Sequence, residues 1–236
     1  MTLRLGWFAT ARGETSPKIL RYVTDAIAAG KLDACIEYVF CNREPGESPK
    51  TDEFLRLVRR LDIPLVAFSS KKYLPECTDP EHRREAYDRE VYRLVKDFCA
   101  DIVVLAGYMR IVSGYLCRRL TMINLHPALP GGPQGTWQEV IAEVVRSQVR
   151  RHGLMMHLVT EQLDRGPVLT YASFSTQGLD ADGVRAAGVA RELPLVLRTL
   201  QLLASGRIAV RHGVVYAQGH PVPSGVRLAI RPLPAV

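Results

Sequence analysis

The chain has 236 residues, 47% hydrophobic and 23% charged, the balance of an ordinary globular protein long enough for one substantial core. No apolar run approaches the roughly 20 residues that cross a bilayer, and the N-terminus lacks a secretory pattern, so neither a membrane span nor export is expected. The five cysteines are odd in number and form no CxxC pair, which argues against a disulfide framework or structural zinc and fits a reducing cytoplasm, while a net charge of +7 without a basic, aromatic-interleaved stripe favours small acidic ligands over nucleic acid.

Strand and helix signals alternate from the N-terminus. Residues 3–10 are a short apolar run, followed by a helix that begins near Pro17, with Ser16 as its expected N-cap. A second strand is expected over 36–41, a helix over 51–61 with Thr51 as N-cap, and a third strand over 64–68. Within 81–99 the apolar residues Tyr87, Val91, Leu94, Val95 and Phe98 recur at helical spacing. Residues 101–106 are nearly all apolar, as in a central parallel strand covered on both faces.

A strand over 122–126 follows, then an amphipathic helix over 137–151 closed by Gly153. Strands are expected over 154–160 and 168–174, and a helix over 184–204 ended by Gly206. This alternation predicts an α/β domain over 1–206 with a doubly wound, mostly parallel sheet. From 207 to 236 the character changes. Short β runs around Gly213 and Gly219, then prolines, read as a C-terminal β-hairpin and an extended arm packed on the same domain.

The most informative stretch is Met122-Ile123-Asn124-Leu125-His126-Pro127. It reads as the end of a buried strand stopped by proline. Asn124 and His126 are two apart, so they project to the same side. In an open α/β sheet, ligands sit at the carboxyl ends of such strands. Buried Asn and His also often do no more than bond a neighbouring loop, so the pair alone leaves both readings open.

Other candidates are weaker one by one. Gly107 to Val112 follow the most buried strand and could line a crevice, but on its own Gly107 reads as a strand end and Arg110 as a solvated charge. Asp164, two residues before Gly166-Pro167, is ordinary turn chemistry. His157, between Met156 and Leu158, reads as a satisfied core histidine. The loop 128–136, rich in proline and glycine, could be a lid or a plain connector. There is no Walker A motif, nucleophile elbow or HExxH, and no GxGxxG follows the first strand. The residues alone suggest a crevice enzyme built on Asn124 and His126, with Asp164 as a third candidate.

Four segments, in order and with compatible spacing, resemble the glycinamide ribonucleotide formyltransferase family. They are RREAYDREVYRLVKDFCADIVVLAGYMRIVS (83–113), INLHPALP (123–130), GLMMHLVTEQLDRGPV (153–168) and GVVYAQGHPVPSG (213–225). The resemblance implies a Rossmann-like formyltransferase fold and a purine-biosynthesis reaction. The donor would be 10-formyltetrahydrofolate and the acceptor the primary amine of 5-phosphoribosylglycinamide. Asn124, His126 and Asp164 fall on the family's catalytic positions. Met109, Arg110, Ile111 and Val112 fall on the stretch that embraces the pterin. Asn42 and Arg43 match an Asn-Arg or Asn-Lys pair read as structural.

The implied chemistry suits these side chains. Amine attack on a formamide carbonyl creates an oxyanion, for which Asn124 and a protonated His126 are donors. Asp164 would favour the imidazolium and help relay the amine proton through water. No metal and no covalent enzyme intermediate are required.

The chain departs from the family at two loops. Where the family has a Gly/Ser/Asn-rich phosphate loop after strand one, this chain has Ala11-Arg12-Gly13-Glu14-Thr15-Ser16-Pro17. The family's histidine-containing segment after the catalytic strand is replaced by residues 131–137. Arg12, Gly13, Thr15 and Ser16, at the start of the first helix, are still expected to hold an acceptor phosphate.

Other readings use the same fold. A formyltetrahydrofolate hydrolase typically has an N-terminal regulatory domain, whereas this chain starts at strand one. A methionyl-tRNA formyltransferase adds a C-terminal barrel for which the short hairpin leaves no room. A folate- or nucleotide-binding protein without turnover is the non-enzyme alternative. Nothing in the sequence speaks to oligomeric state.

Overall fold

The computed structural model describes residues 2–74 and 76–234. The chain runs through β1 (Leu3–Ala9), α1 (Thr15–Ala28), β2 (Ala34–Cys41), α2 (Pro49–Arg60), β3 (Leu65–Ala67), α3 (Pro80–Val95) and β4 (Ile102–Leu105). It continues with α4 (Gly114–Cys117), β5 (Met122–His126), α5 (Trp137–Arg146), β6 (Arg151–Leu158), β7 (Val168–Ser175) and α6 (Ala181–Ala204). The C-terminal part holds β8 (Ile208–Arg211), β9 (Val214–Ala217), β10 (His220–Pro221) and β11 (Val226–Arg227).

The main sheet has the order β11-β7-β6-β5-β4-β1-β2-β3. Strands β1 to β5 pair in parallel; β6 is antiparallel to both its neighbours, and β11 runs parallel to β7. Only β6 therefore runs against the rest of this sheet. Side chains alternate across it. Leu5, Trp7 and Ala9 of β1 enter a core with residues of α1, α2, α5 and α6, whereas Phe8 enters a second core with Tyr38, Phe40 and residues of α3 and α4. Helices thus cover both faces, the doubly wound arrangement that the alternating pattern predicts.

The strand order turns outward on either side of the β1/β4 pair, and this switch point positions the site. The loops leaving β1 and β4 are tied together there. Thr10 N–H donates to the Gly107 carbonyl at 3.2 Å, and Met109 N–H donates to Thr10 Oγ1 at 2.7 Å. Gly107 sits at φ +68°, and a Cβ on it would collide with Ser16 Oγ. The close approach of α1 to the β4 exit needs glycine for both reasons.

Several helix boundaries differ from the sequence reading. Ser16 is not an N-cap. Glu14 takes that place without a side-chain capping bond, and the Ser16 hydroxyl donates to the Ala106 carbonyl at 2.6 Å. Helix α2 is capped by Ser48, with Pro49 following, and Thr51 is the residue whose N–H the Ser48 hydroxyl accepts. Helix α3 starts after its Asp79 cap and ends at Val95 rather than extending to 99. The short α4, held in sequence between a glycine and a cysteine, has no periodicity to announce it.

Helix α5 ends at Arg146, and Gly153 lies inside β6 rather than beyond a helix. Gln148, at φ +47°, makes the turn that glycine was expected to make. Gly153 answers a different need, since a Cβ there would strike the Ala172 carbonyl of β7. At the C-terminus, β8, β9 and β10 form a small antiparallel sheet, and Ile208 and Val215 reach the main core. The arm then returns to the main sheet as β11, with Leu228 N–H donating to the Tyr171 carbonyl at 2.8 Å.

Candidate active site

A cleft of about 410 Å³ opens at the carboxyl ends of β4 and β5. Asn124, His126 and Asp164 line it together with Met109, Arg110, Ile111 and Val112. Residues from three distant stretches of sequence thus line one cleft. The cleft is not lined by Arg12, Gly13, Thr15 or Ser16.

The floor is made by the two antiparallel strands β5 and β6. Asn124 stands directly opposite His157 in their register. Cross-strand partners of this kind point to the same face, so strand pairing delivers His157 to the site. Its Nδ1 lies 2.8 Å from the Leu158 carbonyl and its Nε2 3.3 Å from Asn124 Nδ2. A carbonyl only accepts, so Nδ1 carries the proton and Nε2 accepts from the Asn124 amide. His157 is thus a site residue that reading the strand alone assigned to the core.

Asp164 reaches the cleft from the turn between β6 and β7, at φ +52°, a left-handed conformation that aspartate tolerates better than most residues. One carboxylate oxygen lies 3.6 Å from His126 Nδ1 and also accepts from Gly135 N–H at 3.1 Å. The other oxygen lies 3.7 Å from His157 Nε2. Two imidazoles therefore flank one carboxylate, and all three side chains are under a tenth exposed. Burial pushes the His157 pKa down, with its bond to Leu158 and the Asp164 charge opposing that and the nearby His126 adding to it. A neutral His157 leaves the Asp164 charge to His126.

His126 Nε2 donates to the Pro133 carbonyl at 2.8 Å. The loop carrying Pro133 is clasped to the Asp164 turn by three further bonds. Gln134 donates to the Leu163 carbonyl, Gly135 N–H to Asp164, and Arg165 Nη1 to the Gly132 carbonyl. The loop is thus a cover over the imidazole. It leads into α5, whose first turn is held by a capping box between Thr136 and Glu139 and brings Trp137 to the cleft.

The opposite wall is the loop 107–113. Tyr108 is buried and packs edge-on to Phe8 at 5.4 Å, and Val112 is buried as well. Ser113 N–H donates to the buried Asp88 at 2.6 Å, and the Arg110 guanidinium lies 4.4 Å above the Tyr87 ring. These anchors turn Met109 and Ile111 outward, 67% and 44% exposed, so two apolar side chains and a fixed backbone face the cleft.

Near the β1 exit, Arg12 and Gly13 are exposed and Thr15 is half-buried. Ser16 is buried with its proton committed to Ala106, so its hydroxyl is not free to donate to an anion. Arg43 is buried against the Asn42 carbonyl at 2.6 Å and Ser70 Oγ at 2.7 Å, an arrangement that joins the β2 and β3 exits. Among the described residues there is no cluster of His, Cys, Asp or Glu that could hold a metal, and no helix long and apolar enough to cross a membrane.

Comparison with known proteins adds four findings. The family model described as formyl transferase matches residues 13–180. The chain is 30% identical over 161 residues to phosphoribosylglycinamide formyltransferase of Dictyostelium discoideum, covering 64% of this chain and 74% of that protein. It is 26% identical over 208 residues to the Escherichia coli K12 protein of the same name, covering 86% of this chain and 90% of that one. The solved phosphoribosylglycinamide formyltransferase of Coxiella burnetii shares the fold, with a TM-score of 0.78 at 23% identity over 97% of this chain and 100% of that chain.

Proposed function

Because the chain belongs to the formyl transferase family, we propose that it moves the formyl group of 10-formyltetrahydrofolate onto the primary amine of 5-phosphoribosylglycinamide, a step of purine biosynthesis. The observation that carries this reading is the single cleft that joins Asn124, His126 and Asp164 to the apolar rim at Met109 and Ile111. A flat heterocycle fits against the 109–112 backbone, whose conformation is held from behind by Tyr108, Val112 and the Asp88–Ser113 bond. That placement sets the formyl carbon on N10 over the strand ends.

The acceptor nitrogen attacks the formyl carbon, and the carbonyl π pair moves onto oxygen. Donors aimed at that developing charge supply the largest share of such catalysis. Asn124 has one N–H on His157 and a second for the oxyanion. His126 is the other donor. Its Nε2–H bonds the Pro133 carbonyl, so donation to the oxyanion takes place in exchange for that bond. Collapse of the intermediate breaks the bond to N10. The proton lost by the amine ends on N10, and Asp164 holds the imidazolium and relays the proton through water. The products are a formamide on the acceptor and tetrahydrofolate.

The acceptor phosphate is placed at the β1 exit. Arg12 offers a full charge, and the first turn of α1 has no side-chain cap, which leaves backbone N–H groups there for an anion. Gly13 and Thr15 complete this site, and Ser16 contributes position rather than a proton. The loop adjoins Gly107 and Met109 of the cleft through the two bonds from Thr10, so an extended acceptor spans from phosphate to formyl carbon.

The test is release of tetrahydrofolate from 10-formyltetrahydrofolate with three acceptors in parallel: phosphoribosylglycinamide, water alone and initiator tRNA. Release that depends on the amine supports the proposal. Equal rates with and without amine would make the protein a hydrolase.

A further inference from the structure

We propose that His157 is a positioning residue, which sets the side-chain amide of Asn124 so that one N–H faces the oxyanion; this rests on the oxyanion role assigned to Asn124 above. An asparagine amide has two nearly equivalent orientations, one presenting N–H groups and the other a carbonyl. Only the first stabilises negative charge. The orientation must therefore be chosen by a neighbour.

His157 makes that choice through its tautomer. Its Nδ1–H is committed to the Leu158 carbonyl at 2.8 Å, which leaves Nε2 as a bare lone pair facing Asn124 at 3.3 Å. A lone pair accepts the Asn124 N–H and repels its carbonyl oxygen, so the flipped amide is disfavoured. The antiparallel register, with Asn124 opposite His157, fixes both backbones at the distance this bond requires. Burial keeps the lone pair from being protonated at neutral pH. Neutrality matters twice, because a charged His157 would turn its Nε2–H toward Asp164, 3.7 Å away, and draw that carboxylate from His126. His157 touches neither substrate nor the reacting atoms in this scheme.

Two near-isosteric variants separate the role from simple packing. His157→Asn keeps an N–H near the Nδ1 position for the Leu158 carbonyl but has no group at Nε2. His157→Gln does the reverse, placing an amide oxygen near Nε2 to accept from Asn124. The expected result is a loss of about tenfold in kcat for His157→Asn, part of the 10²–10³-fold that losing a whole oxyanion donor costs. The KM for 10-formyltetrahydrofolate should stay within about twofold. His157→Gln should recover kcat to within about threefold of the parent. In an Asn124→Ala background, His157→Asn should have no further effect.

Nitrogen NMR of the parent protein at neutral pH should show His157 as the Nδ1–H tautomer, a readout that needs neither turnover nor a folded variant. An Nε2–H tautomer, equal losses in the Asn and Gln variants, or additive losses with Asn124→Ala would each overturn the inference. A parent-like kcat in Asn124→Ala alone would instead remove the oxyanion reading of the site, and this inference with it.

Discussion

Two neighbouring loops, one lining the cleft and one beside it, are built to different standards. The loop 107–113 is anchored at Tyr108, Arg110, Val112 and Ser113, each against a buried partner or core. The loop after β1 is fixed at Thr10 and Ser16, but between them Arg12, Gly13 and Glu14 are exposed and α1 begins without a side-chain cap. The loop 107–113, the proposed donor side, is therefore a preformed surface, with its conformational cost met during folding. The loop after β1, the proposed acceptor side, is a short exposed span between two fixed points, where substitutions leave the core undisturbed.

Breaking the chemical centre at Asn124, His126 and Asp164 should cost most. Asn124→Ala and His126→Ala should each lower kcat by about 10²-fold or more. His126 is 2% exposed and donates to Pro133, so its removal should also cost about 1 kcal/mol in urea unfolding, the scale of one lost hydrogen bond. A variant with near-parent kcat at saturating substrates would mark that residue as structural. Asp164→Asn should lower kcat by about 10²-fold, the lower range for general acid–base groups. The amide oxygen can still accept from Gly135, so the turn should survive, as an unchanged unfolding midpoint would show.

Arg12→Ala sharpens the contrast between the sides. It should raise the KM for phosphoribosylglycinamide about tenfold, the lower end for a hydrogen bond to a charged group, and leave the folate KM alone. An unchanged acceptor KM would place the phosphate elsewhere.

Asp88 probes the loop 107–113 with a smaller effect. Burial pushes its carboxyl above the ordinary aspartate range, with the Ser113 N–H and the Arg110 charge opposing. A carboxyl raised in the folded state binds its proton more readily folded than unfolded. Its contribution to stability is therefore best below the unfolded pKa and declines as pH rises through the folded one. Asp88→Asn keeps an acceptor for Ser113 without the charge, so it should be at least as stable as the parent at pH 7 and show a flatter acid profile. Asp88→Ala strands the buried N–H and should cost about 1–3 kcal/mol, with a several-fold rise in folate KM. Equal stability of the Ala and Asn variants would mean that the Ser113 bond does not hold the loop.

Much of this architecture can be read from local pattern. The apolar run of β4 and the two-residue spacing of Asn124 and His126 depend on strand geometry alone, and both survive in the structure. What escaped depends on partners far away in sequence. Ser16 looks like a helix cap until Ala106, 90 residues distant, is found to accept its proton. His157 looks like core until the antiparallel pairing of β5 and β6 sets it against Asn124. Gly153 looks like a helix stop, whereas a non-glycine residue, Gln148, makes the turn and the neighbouring strand demands the glycine. The stretch around Asp164 is a turn, and the same turn delivers a carboxylate to two histidines. In each case local chemistry was compatible with the fold, and tertiary contact decided the use.

Transfer of a formyl group from a folate to an amine in this cleft can be followed by labelling the carbon that moves. With 10-formyltetrahydrofolate labelled by carbon-13 in the formyl group and phosphoribosylglycinamide as acceptor, label is expected in the acceptor's formamide, equal in amount to the tetrahydrofolate formed. Label appearing as free formate, with the amine unmodified, would contradict it.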